Sequence, residues 1–449
     1  METLFACVLG LRLRPEQGER PMSAASEVIR SIERVAGRAA PTLDVPGGHR
    51  FGGAEPEFTV APETEDQLVE IVRACSGGEV VLAPIGASLQ DFDIRQHGDT
   101  RPVVLVSIRN LRRVHHYSSE DLTLTVGAGL TLGALDDLAR PNGQYLPYDP
   151  PFGRAVTLGG AIACNAVGPR SLIHGPIGHS MTGASMVLPD GTHVKSGART
   201  VKNVAGYDFH KLFIGSYGSL GMLARVSLRL KALPEEFRIV RLRADSLTDA
   251  RSMLDRLARG PTRPCMIEIL NPGAAAKLDA DIEVGHTLVF VGYEGATDQV
   301  EWQLDQFDAA WEERAVRLDR DGSRKQYEAL TSWPEREAEY AFEAIAPVPS
   351  RWALIDSCSE RGIAVMAHGR NGPVLGCGTG ALTLETAAAL RAEAGPTGSV
   401  KFTRLPAGSS VRRWSCANPV FKWMRALKQE FDPRRIFPWP GFLDTDCES

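Results

Sequence analysis

The stretch "TVKNVAGYDFHKLFIGSYGSLG", Thr200–Gly221, sets four glycines, a Lys-Asn pair and a Tyr-Asp pair around a short apolar run. Asp208 is placed to cap a helix that starts at Phe209, its carboxylate accepting from the free amides of the first turn. That helix would run through Leu212, Phe213 and Ile214 and stop at Gly215, a residue suited to the left-handed position after a helix. Gly215, Gly218 and Gly221 then recur three apart, and "MLARVSLRL" (222–230) alternates apolar and polar residues as a half-buried strand does. The segment reads as loop, short helix, glycine turn, strand. Glycines in such a turn either relieve backbone strain or let the main chain lie against a ligand.

The chain around it has 449 residues, enough for two to three domains. It is 43% hydrophobic and 23% charged, with a formal net charge of -5. That composition builds an ordinary globular core and carries no basic footprint for nucleic acid or an anionic membrane. No apolar run approaches the roughly 20 residues that span a bilayer. The opening "METLFACVLGLRLRPEQGER" has an acidic residue where a signal peptide has a basic region, so it reads as an extension before a helix rather than as a leader. The 8 cysteines (7, 75, 164, 265, 358, 377, 416, 447) form no C-x-x-C and argue against an iron–sulfur cluster or structural zinc held by this chain. Scattered thiols fit a reducing, cytoplasmic setting. His115 and His116 are adjacent and would point to opposite faces of a strand, so a metal site is not expected.

Residues 23–40 read as a helix, followed by a Gly/Pro-rich connection at 41–58. "TVAPETEDQLVEIVRACSGG" offers a strand end and a helix with Leu68, Ile71 and Val72 on one face. "EVVLAPIGAS" is a buried strand entering a glycine turn, "VVLVSI" (103–108) and "LTLTVGAG" (122–129) are strands, and "TLGALDDLAR" is a short helix. Pro189-Asp190-Gly191 reads as a hairpin turn. The texture changes near residue 233. Beyond it "FRIVRLRAD", "CMIEIL" and "TLVFVGYEG" read as strands, and "LTDARSMLDRLARG" and "TDQVEWQLDQFDAAWEER" as amphipathic helices.

Three glycine-bearing segments stand out: "APIGASLQ" (83–90), "TLGGAIACNAVGP" (157–169) and the opening stretch. None is G-x-G-x-x-G or G-x-x-x-x-G-K-[ST], which removes a Rossmann site and a Walker loop. Small residues after a buried strand and two glycines at a helix start are nevertheless a pyrophosphate pattern. Through these segments the chain resembles the FAD-binding domain of the vanillyl-alcohol oxidase/p-cresol methylhydroxylase (PCMH-type) superfamily, over roughly residues 57–232. Within it the resemblance is to the FAD-binding subunits of bacterial glycolate oxidases. It is carried by Val201–Asp208, Lys211-Leu212, Gly215-Ser216, Gly218 and Leu220-Gly221, by "TLGGAIACNAVGPR", and by "FDPRRIFPWPGF" (431–442).

The resemblance implies an α+β protein. Residues 1–45 would form an N-terminal extension and helix, 46–232 a PCMH-type FAD-binding domain of two α/β subdomains, and 233–449 a smaller α+β cap or C-terminal domain. It implies that Pro84, Gly86, Ala87, Ser88 and Leu89 lie at the pyrophosphate, with main-chain amides as donors. Thr157, Gly159, Gly160 and Ala163 would approach the same region from a helix start. Asn165 and Gly168 would lie near the isoalloxazine, the Gly221–Leu223 backbone near flavin or adenine, and Asn203 in the cofactor-binding set. Tyr207 and Asp208 would lock the loop. The first loop has no histidine of the "RSGGHS" kind, so non-covalent FAD is expected.

Relatives that oxidise 2-hydroxy acids unaided carry H-x-G-x-G-N-x-H; here "AHGRNGPVLG" offers His368 alone. His368 is a candidate for catalysis, or a strand-end residue beside a glycine turn. Arg170 is a candidate carboxylate binder, or a solvated or phosphate-contacting arginine. The resemblance thus implies the flavin subunit of a glycolate-oxidase-type complex, oxidising a small 2-hydroxy acid beside a larger flavin subunit and an iron–sulfur subunit. It would be cytoplasmic or held peripherally at the inner membrane through those partners. A self-sufficient FAD-dependent dehydrogenase and a non-catalytic scaffold are the alternatives, and a UDP-sugar reductase fits the "KNVAGYD" string less well.

Overall fold

The computed structural model describes residues 23–36, 51–52, 56–87, 92–93, 99–198, 207–278, 285–311, 314–333, 338–406, 408–414 and 420–443, with the backbone alone at 51–52, 92–93 and 442. The first half begins with helix Ala24–Ala36 and a parallel three-stranded sheet in the order Phe58–Val60, Val103–Ser107, Val81–Ile85. The strand "VVLVS" is apolar up to its final serine because a parallel strand is covered on both faces, and every residue of it is buried. The connecting helix Glu65–Cys75 is capped by the Thr64 hydroxyl, which accepts from Gln67 N, and it buries Leu68, Ile71, Val72 and Cys75.

Beside this sheet lies an antiparallel one of five strands, in the order His193–Gly197, Met181–Val187, Met222–Arg229, Thr123–Gly127, Val114–Ser118. The expected hairpin joins the first two, with Gly191 at φ +79° in its turn. One core runs through both sheets, from Ile32 to Leu230, and it also takes in Ile436 and Phe437 from the end of the chain.

The second half is built on eight antiparallel strands, in the order Ala315–Arg317, Glu236–Ala244, Thr287–Gly295, Met266–Leu270, Ala364–His368, Val374–Gly378, Tyr340–Ile345, Ser399–Arg404. The period of two divides their side chains between two clusters. Ile267, Ile269, Val289 and Val291 face one core, which helices Leu247–Arg259, Thr297–Trp311, Val348–Glu360 and Leu384–Glu393 cover. Met266, Leu270, Leu288 and Phe290 face the other. Alternation puts Glu268, Glu294, Glu343, His368 and Lys401 on that second face, several of them touching the first half. Glu294 meets His174 and Arg170, Lys401 meets Tyr217, and Phe152 N donates to Thr331 O at 3.0 Å.

The opening stretch folds differently in one respect. Phe209–Phe213 is a 3-10 helix, and the Asp208 side chain makes no cap bond; it pairs with Lys211 at 2.9 Å. A carboxylate with a lysine three residues on has a competing partner, and here that partner wins. Tyr207 is 97% exposed, so it locks nothing. Gly215 does take the left-handed conformation, at φ +75°, and the strand Met222–Arg229 follows. Residues 200–206, Asn203 among them, lie outside the described residues.

Candidate cofactor cleft

The strand Val81–Ile85 delivers the first turn, Gly86-Ala87. Arg109 fixes it: Nε donates to Gly86 O at 3.0 Å and Nη2 to Ala87 O at 3.3 Å. In a trans peptide the carbonyl and the following N–H point opposite ways, so the Ala87 amide is turned away from Arg109. Pro84 has no N–H and contributes shape alone. Ser88 and Leu89 lie outside the described residues.

The second turn opens helix Leu158–Cys164, capped by Thr157, whose hydroxyl accepts from Gly160 N at 3.3 Å. Gly159 N donates to Ala128 O at 2.7 Å. Both glycine amides are therefore hydrogen-bonded within the protein. What the glycines supply is proximity. A Cβ at Gly159 would stand 2.7 Å from Ile108 Cδ1, and one at Gly86 would overlap Thr157 Oγ1.

The third turn is Ser216–Gly221. Gly215 N, just before it, donates to Ile162 O at 3.0 Å and Tyr217 N to Ala163 O at 2.9 Å, which seats it on the second turn. Gly218, at φ +70°, abuts the Pro84 ring so closely that a Cβ would overlap it, which seats the third turn on the first. The three segments interlock around one cleft.

Pro84, Gly86, Ala87, Thr157, Gly159, Gly160, Ala163, Gly221 and Leu223 all line that cleft. Asn165 and Gly168 do not. Asn165 ends the helix in the left-handed region at φ +46°, and Gly168 lets the chain pass against the Asp149 carbonyl, where any Cβ would collide. The opposite wall comes from the second half as Lys401, Thr403, Arg413 and Trp414, with Pro440 from the C-terminal segment. Little in the sequence pointed to these. "KFTR" carries the alternation of a half-polar strand but does not say what its polar face meets, whereas Tyr217 stands inside the opening stretch itself.

Among the described lining residues the two charged side chains, Lys401 and Arg413, are both cationic, and none is a carboxylate. Lys401 is 7% exposed and stands 2.7 Å from Glu343 Oε2. It also donates to Tyr217 Oη at 3.1 Å and lies over the Tyr217 and Trp414 rings at 5.2 and 5.7 Å. Burial alone would lower its pKa, but the Glu343 carboxylate outweighs that and holds the ammonium far above its ordinary range. Burial pushes Tyr217 up to about 12 against the pull of Lys401, and it raises the Cys164 thiol likewise. Lysine, phenol and thiol thus all keep their protons at neutral pH. They are donors and a fixed positive charge, not bases.

The two residues expected to act in catalysis do not line this cleft. His368 is 3% exposed with Nδ1 2.7 Å from Glu268 Oε2, and its carbonyl accepts from Arg351 at 2.9 Å. Burial lowers its pKa, but the Glu268 carboxylate outweighs this and keeps it raised. Arg170 pairs with Asp149 at 3.5 Å and Glu294 at 3.4 Å, its guanidinium over the Tyr145 and Tyr327 rings. Arg170 spends its charge on buried carboxylates at the contact between the halves, and His368 spends its own on Glu268 within the eight-stranded sheet.

Residues 56–197 match the family described as FAD binding domain, so the chain carries that domain and FAD is its cofactor. The chain is 35% identical over 193 residues to the glycolate oxidase subunit GlcE of Escherichia coli (strain K12), a match covering 40% of this chain and 55% of that protein. It is 24% identical over 262 residues to the glycolate oxidase subunit GlcD of Bacillus subtilis (strain 168), covering 57% and 55%. It is 29% identical over 182 residues to the mitochondrial D-lactate dehydrogenase [cytochrome] of Arabidopsis thaliana, covering 40% and 31%. The matched part thus spans between 31% and 55% of the length of these relatives. Among solved structures, alkyldihydroxyacetonephosphate synthase superposes with a TM-score of 0.63 at 17% identity, over 85% of this chain and 75% of that one. The fold is the α+β, PCMH-type FAD-binding fold. Among the described residues no helix is long and apolar enough to cross a membrane, and no group of three or more His, Cys, Asp or Glu side chains is placed to hold a metal ion.

Proposed function

We propose that this chain is the FAD-binding subunit of a glycolate-oxidase-type dehydrogenase, acting on a small 2-hydroxy acid and passing the electrons to a partner protein. The observation that carries the reading is the cleft itself. Three interlocked turns expose main chain and small or apolar side chains, and the only charges among the described lining residues are positive. Such a wall suits an extended dinucleotide with two phosphate charges, and its cations suit a carboxylic acid. The relatives named as glycolate oxidase subunits and D-lactate dehydrogenases support that substrate class.

FAD, when bound, supplies a two-electron acceptor for the hydride leaving C2 of the acid, which becomes a 2-oxo acid. The chain's own part is binding and orientation. The turn pinned by Arg109 receives the diphosphate, Lys401 and Arg413 place positive charge at the cleft wall, and the Tyr217 ring shields it from water. Because Lys401, Tyr217 and Cys164 hold their protons, none of them takes the hydroxyl proton of the substrate. That favours a subunit completed by a partner over a self-sufficient dehydrogenase.

The test is the absorption spectrum of the purified chain, reconstituted with FAD and then treated with glycolate or D-lactate, alone and with its partner proteins. Flavin absorbance that bleaches only with the partners present is the expected result. Bleaching by the isolated chain would favour the self-sufficient enzyme, and a chain that takes up no FAD would remove the flavin reading.

A further inference from the structure

Lys428, on helix Phe421–Phe431, is 0% exposed, far from any solvent that could hydrate its charge. A buried ammonium has three protons to place, and all three are placed. One goes to the Asp432 carboxylate, one to Ser219 O at 2.8 Å and one to Phe437 O at 3.3 Å. Ser219 belongs to the third turn of the cleft. Asp432 and Phe437 belong to the segment that leaves the helix and runs to Pro440, itself a lining residue.

That segment is tied down along its length. Asp432 accepts from Ile436 N and Phe437 N, each at 2.9 Å. Ile436 O accepts from Leu82 N at 2.7 Å, on the strand that feeds the first turn. Arg101 donates to Arg434 O at 3.0 Å and to Arg435 O at 2.9 Å, while also holding Gly78 O at 2.8 Å. The C-terminal segment is therefore a strap that grips the strand of the first turn directly and the third turn through one ammonium.

We propose that Lys428 is a positioning residue for the cofactor, fastening the C-terminal strap to the glycine turn Ser216–Gly221 so that the cleft walls keep one separation. This rests on the reading of the cleft as an FAD site. Burial pulls the Lys428 pKa down to about 8, with Arg435 and Arg101 adding to the fall and Asp432 opposing it, so the ammonium is still the form present at neutral pH. Nothing in the resemblance, which ran through the motif 431–442, pointed to the lysine three residues before it.

The experiment replaces Lys428→Met, which keeps the bulk of the stem and removes the donors, in the full chain reconstituted with FAD. A bond to a charged donor supports an FAD dissociation constant about tenfold higher in the variant, read by flavin fluorescence after dialysis. Hydrogen exchange is read alongside. Amides of 216–221 and 432–440 should quicken together, while those of the eight-stranded sheet stay as in the wild type. A dissociation constant within twofold of the wild type, or a strap and turn that exchange independently, overturns the proposal. If the variant does not fold, exchange in the wild type with and without FAD decides: protection of both segments supports it, and protection of the turn alone overturns it. A wild type that takes up no FAD would instead sink the cleft reading, and the exchange pattern of the variant would still decide whether Lys428 joins strap to turn.

Discussion

A lysine with 7% of its surface exposed must have its charge answered, because desolvation of an ammonium costs several kcal/mol. Lys401 has Glu343 as counter-ion and the Tyr217 hydroxyl as acceptor. Lys401 lines the cleft and Arg170 does not, so the proposed function assigns the carboxylate of the hydroxy acid to Lys401. Lys401→Met should raise the concentration of glycolate needed to perturb the flavin spectrum by about tenfold or more, the worth of one charge-assisted hydrogen bond. Tyr217→Phe, which keeps the ring and drops the hydroxyl, should cost less. Equal effects from the two, in a spectral titration, would show that Lys401 acts only by packing.

At the scale of elements, the cleft depends on turns that touch. Gly218 combines a left-handed backbone with contact against Pro84, whereas Gly143, at φ +66°, has nothing within 4 Å of its missing Cβ. Both should lose about 1 kcal/mol or more as alanine, through backbone strain alone. Gly218→Ala should lose more and should weaken FAD binding, because the third turn must also move off the first. Thermal melting and an FAD titration on the pair separate the two costs. If the two variants melt alike and bind FAD alike, the contact between turns carries nothing.

Much of this level was legible beforehand. Strands such as Val103–Ser107 and Met222–Arg229 and helices such as Glu65–Cys75 were readable because local periodicity reports burial directly. The cap expected at Asp208 does not form because Lys211 competes for the same carboxylate, and the acceptor of the Gly159 amide, Ala128 O, comes near it only once the chain has folded.

Across the whole molecule the halves meet over a buried polar strip rather than a second core. Glu294 sits at its centre with His174, Arg170 and Tyr145 around it. Burial raises the Glu294 pKa, but the His174 hydrogen bond and the Arg170 charge outweigh it and leave the carboxyl below its ordinary value. A carboxylate depressed by folding stabilises the folded state above its unfolded pKa, and that contribution fades as the pH falls through the folded one. The wild type should therefore loosen between its halves as the pH drops below the usual carboxylate range. Glu294→Gln should be less stable at neutral pH, by about 2 kcal/mol for the charge-assisted bonds to His174 and Arg170 while Asp149 still faces Arg170, and flatter with pH. Melting curves of both proteins from neutral to acid pH check this; parallel curves would mean the strip does not couple the halves.

The sequence by itself determined many of the strands and helices as far as residue 314, and the three glycine turns, because those follow from local periodicity and from conformations open mainly to glycine. Its glycine loops excluded a Walker or Rossmann site, and its resemblance to the PCMH-type domain implied FAD as the ligand. Only the tertiary structure decided which charges reach the cleft. Lys401 and Arg413 lie roughly 240 to 330 residues beyond the first two turns in the chain, and a charged side chain on an alternating strand or helix reads the same whether it meets water or a buried partner. Arg170 and His368 looked like the functional pair for that reason. Long-range packing gave each of them a carboxylate, and left the cleft to others.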